Sequence, residues 1–217
     1  MNKSILATAK NLKRLEVYRG SWLSFNVADY LNKGVTIKGY EYVERTTRKG
    51  EFDGVDILGI MHFPVTKRAD ELILIANYRP PIDRFVLQLP AGLIENPENC
   101  KEEASRELKE ETGFIPEKIL DILDTKNIPE ISPILYGDPW KSTENGKLVI
   151  LQVNGDDEKN QHVTQSLELS ENIQVHRFKI SASLLQDIIS FSKENGFEIE
   201  AKVYALCLGI ALGRKWG

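Results

Sequence analysis

The chain reads as an α+β protein, a mixed sheet flanked by helices. Strand-like segments crowd its first half, one near-continuous apolar run marks a buried strand, and helices are interspersed and close the chain. Residues 15–31 and 35–47 mix β-branched and aromatic residues with charges, as half-exposed strands do. RKGEFDG (48–54) reads as a hairpin turn and VDILGIMHF (55–63) as the strand returning from it. ELILIANYR (71–79) is apolar nearly throughout, which predicts a buried central strand. The RPP at 79–81 ends it, because proline donates no ladder hydrogen bond. RFVLQLPAG (84–92) is the next strand, and a helix follows over 98–112, with Pro97 and Glu98 suiting its start and Gly113 its end. Strands recur at 118–124, 147–153 and 173–179, with long loops at 127–146 and 156–172. Helices near 181–195 and 199–213 complete the chain.

Composition narrows the function classes. The 217 residues are 41% hydrophobic and 28% charged, enough for one sizeable core with a small N-terminal extension. A net charge of −4 argues against nucleic acid or an anionic membrane as partner. The local RTTRK (45–49) leaves room for a small anionic ligand. Cys100 and Cys207 form no framework and no metal-ligand spacing, so they read as buried thiols in a reducing compartment. VYALCLGIALG, from Val203, is too short and too glycine-interrupted to span a bilayer, and MNKSILATAK lacks a secretory apolar region. The expected location is cytoplasmic or also nuclear.

The densest chemistry lies in GLIENPENCKEEASRELKEETGF (92–114). On a helix, Glu107 and Glu111 stand one turn apart and Glu110 joins them on the same broad face, with Glu103 extending the stripe. Cys100, Ala104 and Leu108 form an adjacent apolar stripe that can dock on a sheet, and Arg106 is spaced to pair with Glu102 and Glu110. Like charges this close repel unless something positive sits among them. Oxygen-only ligands at this density suit a hard cation, Mg²⁺ or Mn²⁺. A solvated face is the ordinary reading of a Glu-rich helix, but the spacing here is more specific. Gly92, Glu98, Arg106, Glu107, Leu108, Glu110, Glu111, Gly113 and Phe114 follow G-x5-E-x7-R-E-L-x-E-E-x-G-F, which resembles the Nudix hydrolase signature throughout.

That resemblance implies an α/β/α sandwich carrying two or three divalent ions per site, and hydrolysis of a nucleoside diphosphate linked to another moiety. By position, Glu107, Glu110 and Glu111 would be metal ligands with the Ala91 carbonyl, Arg106 would orient them, and Gly92, Glu98 and Gly113 would support the loop. Three stretches are similar to the eukaryotic ADP-ribose (ADP-sugar) pyrophosphatases: YEYVERTTRK (40–49), YRPPIDRFVLQLPAGLIE (78–95) and NGDDEKN (154–160), with SPILYGDPW (132–140) and AKVYALCL (201–208) adding to them. They imply that Arg45 and Arg79 bind the diphosphate and terminal ribose, that Trp22 and Tyr40 sandwich adenine from two subunits, and that Glu41 contacts base or ribose. Glu171 matches the mobile-loop general base, with Glu168 as its rival. The implied organisation is residues 1–47 for dimerisation and base binding and 48–217 as the Nudix domain, in a homodimer acting on ADP-sugars. Gln88 replaces a common glutamate, Trp140 stands where D-P-G is usual, and about ten extra residues precede that loop. Rival readings are a Nudix hydrolase for another nucleoside diphosphate derivative and a nucleotide-binding Nudix sensor without catalysis.

Overall fold

The computed structural model describes residues 9–96, 99–117 and 131–216. Glu98, the expected strand at 118–124 and the first residues of the 127–146 loop lie outside the described residues. The chain divides into two compact units, Met1–Gly54 with Ile134–Gly146, and Val55–Pro133 with Lys147–Gly217.

In the first unit, β1 (Ala9–Arg19), β2 (Leu23–Asn32) and β3 (Val35–Arg45) form an antiparallel sheet in that order. The single strand expected at 15–31 is therefore two. Gly20 turns the chain, its N–H donating to the Leu23 carbonyl at 2.8 Å. Lys33 and Gly34 make the second turn with φ of 49° and 81°, the left-handed pair that matches the twist of a tight hairpin. Register places Leu15 opposite Val27 and Tyr18 opposite Phe25, which gives one face an apolar stripe.

Residues 48–54 are not a hairpin turn, because β3 and the strand that follows belong to different sheets. Asp53 decides this segment. It is 5% exposed and needs full pairing, which Arg48 supplies through Nε and Nη2 at 2.8 and 2.7 Å and the Asn145 N–H at 3.0 Å. Arg48 also donates to the Thr143 carbonyl. The short β8 (Leu135–Tyr136) pairs with Asn145 and Gly146.

The second unit carries the mixed sheet. Along β11 (Glu198–Ile199), β6 (Arg84–Gln88), β5 (Glu71–Arg79), β4 (Gly54–His62) and β9 (Asn145–Asn154) each strand pairs with the next. The strand β10 (Ile173–Lys179) pairs with β5, and β7 (Ala91–Leu93) with β4. The strand expected at 84–92 breaks at Leu89–Pro90, where the Pro90 carbonyl takes the Ile57 N–H instead. Leu72 to Asn77 are all buried, because helices cover both faces of β5. Leu72, Leu74, Ala76, Leu87 and Phe178 meet Leu184 and Ile188 of α2 (Leu184–Asn195) and Val203 and Cys207 of α3 (Ala201–Trp216). On the opposite face Gly59 lies close to both Ile73 and Leu108 of α1 (Cys100–Thr112), which a Cβ there would meet at 3.3 and 3.5 Å. Each such aliphatic side chain removed from water contributes about 1.5–3 kcal/mol. Among the described residues no helix is long and apolar enough to cross a membrane.

Candidate active site

Helix α1 docks through the stripe its spacing predicts: Cys100, Ala104 and Leu108 are buried. Gly113 caps it at φ 77°, with its N–H on the Lys109 carbonyl. A Cβ at Gly113 would also meet Val163 and Thr164 at 2.8–2.9 Å, so glycine lets the 156–172 loop approach. That loop is then fastened, the Gln165 amide donating to the Glu111 carbonyl at 2.5 Å and the Ser166 N–H to the Glu110 carbonyl at 2.9 Å.

The opposite face of α1 gathers charge. Arg106 donates to Glu103 at 2.9 Å and to Glu107 and Glu110 at 2.7 Å each, so Glu103 takes the place that spacing assigns to Glu102. Glu103 also accepts the Glu95 N–H, tying the signature loop to the helix. Glu111 is 2% exposed, and its Oε2 accepts the Ala91 N–H at 2.9 Å. A Cβ on Gly92 would stand 1.9 Å from the Glu107 carboxyl carbon, so any other residue here would push that carboxylate aside. Burial pushes the Glu107 carboxyl up to about 7, against the pull of Arg106. Burial likewise lifts Glu111 to about 8, against the Ala91 N–H, with Glu107 and Glu171 adding repulsion and Arg79 opposing it.

Glu171 is thus within electrostatic reach of both glutamates. Its carboxylate also accepts the Glu168 N–H at 2.9 Å, which shapes the loop. At the end of β5, Arg79 donates through Nε to Oε1 of the buried Gln88 at 2.9 Å. Glu107, Glu111, Glu171, Arg79 and Ala91 therefore lie together in one unit. Nothing in the spacing of the sequence pointed to the Gln88 and Gln165 contacts, the first across neighbouring strands and the second between segments distant along the chain.

The sequence profile of the NUDIX domain matches residues 57–184, more than half of the chain. The chain belongs to the Nudix family. It is 30% identical to the ADP-sugar pyrophosphatase of Mus musculus over 90% of this chain and 84% of that protein. It is 29% identical to the ADP-ribose pyrophosphatase of Saccharomyces cerevisiae over 90% of this chain and 79% of that one. A crystal structure of an ADP compounds hydrolase shares the fold, with a TM-score of 0.60 and 21% identity over 96% of this chain and 94% of that chain.

Nudix hydrolases use divalent cations, and the donors here fit one. Glu107, Glu110 and Glu111 offer only hard oxygen, and the half-buried Glu107 and buried Glu111 are crowded where a cation would relieve repulsion. Among the described residues, no three His, Cys, Asp or Glu side chains already converge as a ligand set. Arg106 is the positive partner of this helix, paired with Glu107 and Glu110 at 2.7 Å each.

The other sequence-predicted residues lie in the first unit. Trp22 is 64% exposed and level with Thr46, whose N–H its carbonyl accepts. Tyr40, opposite Ala28, packs edge-on against Tyr30 and donates its hydroxyl to the Trp140 carbonyl. Six residues of strand separate the levels of the two rings, about 20 Å at roughly 3.3 Å per residue, so one sheet does not bring them together. Glu41 is exposed, and Arg45 donates to Glu144 at 2.6 Å. The turn at Trp140 forms despite its indole, with the N–H groups of Lys141 and Ser142 on the Asp138 carbonyl.

Proposed function

We propose that this Nudix enzyme hydrolyses the pyrophosphate of ADP-ribose and related ADP-sugars to AMP and a sugar phosphate, using Mg²⁺ or Mn²⁺, with two or three ions per site. The observation that carries this reading is the repelling pair of half-buried Glu107 and buried Glu111 beneath the glycine loop, in a chain related over most of its length to an ADP-sugar pyrophosphatase. When bound, divalent ions neutralise pyrophosphate charge and activate the attacking water. Glu107, Glu110, Glu111 and the Ala91 carbonyl hold them, while Arg106 orients the carboxylates between turnovers. Glu171 takes the proton of the attacking water; its oxygen bonds to one phosphorus while the bond from that phosphorus to the bridging oxygen breaks, and the bridging oxygen leaves on the other phosphate. Arg79 and Arg45 bind the diphosphate and terminal ribose by charge-assisted hydrogen bonds, and Glu41 meets base or ribose.

Trp22 and Tyr40 stack on adenine, each from a different chain of a homodimer. Their separation along one sheet supports two chains. So does the stripe of Leu15 and Tyr18, which are 55% and 69% exposed with Leu23 beside them. Residues 1–47 supply dimerisation and base binding in this reading. Two free, buried cysteines accord with a cytoplasmic setting.

The test is purified protein with Mg²⁺, offered a panel of nucleoside diphosphate derivatives, with products separated by anion exchange. AMP and ribose 5-phosphate from ADP-ribose are expected. Turnover of another dinucleotide, with none of any ADP-sugar, would overturn the substrate assignment.

A further inference from the structure

We infer that Gln88 is a positioning residue for Arg79 and sets how strongly this site holds the diphosphate of its substrate. The inference rests on the proposed reading that Arg79 binds that diphosphate. Arg79 ends β5 and Gln88 ends β6. Register puts Gln88 opposite Ile75, so it shares the α1 face with Asn77 and Arg79. Its Oε1 accepts Arg79 Nε at 2.9 Å, and its Nε2 donates toward the Leu89 carbonyl at 3.4 Å. Those two bonds fix which end of the amide faces the arginine. At 6% exposure the amide cannot swing to solvent, so it holds the guanidinium by Nε. The fork of Arg79 is rigid, and anchoring Nε leaves its Nη edge for an anion.

The partner's neutrality matters as much as its position. Arg45 meets the Glu144 carboxylate at 2.6 Å, so its charge is compensated before any ligand arrives. Gln88 accepts the same kind of bond without compensating the charge. A glutamate at position 88, as in the pattern this chain resembles, would make Arg79 like Arg45. Glutamine keeps the geometry and leaves the Arg79 charge uncompensated by position 88.

A double-mutant cycle on the hydrolysed substrate tests this. Gln88→Met removes the acceptor at similar volume and should raise KM roughly fivefold, with kcat within about twofold. In an Arg79→Met background the same change should do nothing further to kcat/KM, whereas a merely structural role would cost both backgrounds equally and overturn the inference. Gln88→Glu keeps the acceptor but pairs the charge. It should also raise KM, and flatten the dependence of KM on salt; kinetics identical to the parent protein would overturn the inference too. Thermal unfolding of each variant separates loss of fold from loss of positioning. If the panel shows another dinucleotide to be the substrate, the ADP-ribose reading fails and the cycle is run on that dinucleotide. Absence of coupling there ends the inference separately.

Discussion

Strands β1 and β5 show two uses of similar chemistry. All eleven residues of β1 are exposed, among them Leu12, Leu15, Val17 and Tyr18, whereas β5 buries Leu72 to Asn77 without a break. Around β5, helices on both faces exclude water, and the same exclusion raises the carboxyls of Glu107 and Glu111. Among the described residues nothing covers the apolar stripe of β1, and Trp22 and Tyr40 stay exposed. Burial marks the unit that carries the proposed chemistry, and exposure marks the unit proposed to bind the base.

The largest effect that can break this contrast is at Glu111. Glu111→Gln should lower turnover by roughly a thousandfold or more, since it removes a proposed ligand at the reacting centre. The metal-free protein should unfold at the same temperature or higher, because a buried, repelled carboxylate is gone. Added Mg²⁺ should stabilise the parent protein more than the variant in thermal unfolding. Activity within a few-fold of the parent would remove Glu111 from the proposed ligand set.

Next comes a paired truncation. Leu74→Ala should cost about 2–5 kcal/mol in denaturant unfolding, because Leu74 is fully buried between sheet and helices. Leu15→Ala should cost under about 0.5 kcal/mol at low protein concentration. A Leu15 cost that grows with concentration marks a face covered by a second copy, and light scattering should then report a dimer. Cost at Leu15 equal to that at Leu74 at every concentration would erase the comparison.

A mixed dimer sharpens it further. Chains carrying Glu111→Gln combined with chains carrying Tyr40→Ala should recover part of the activity, since both defects fall in one site and the other is intact. A verified mixed dimer that recovers nothing places Tyr40 with its own chain's site.

The smallest effect is at His176, which packs on Phe191 at 4.7 Å and whose Nε2 is buried without a hydrogen-bond partner. Burial lowers its pKa, so the unfolded chain binds the proton more readily. That contribution to stability is present above about 6.5, the unfolded value, and is lost as pH falls through the folded one. His176→Leu should flatten the acid side of the stability profile, read from unfolding midpoints between pH 5 and 8. An unchanged slope would show that His176 titrates alike in the folded and unfolded chain.

Much of this was legible along the chain. The period of α1 gave the docking stripe of Cys100, Ala104 and Leu108, because helix geometry depends only on neighbours three and four residues apart. The apolar run at 71–79 announced a strand covered on both faces, and the spacing from Gly92 to Phe114 announced the family. The break at Gly20 and the fate of residues 48–54 were not legible. A glycine inside a strand pattern is ambiguous, and Asp53 turns the chain through Arg48 and Asn145, the latter 92 residues away.

Local periodicity and a spaced motif were thus enough for the buried strand, the metal-suited helix and the class of reaction, since those depend on residues close in sequence. Pairings between distant segments depended on the folded chain. Gln165 ties the loop to α1, Arg45 rests on the Glu144 carboxylate, and Arg79 reaches across to the neighbouring strand for a neutral amide. Hydrogen bonds and desolvation act through space, and only the fold says which groups share it.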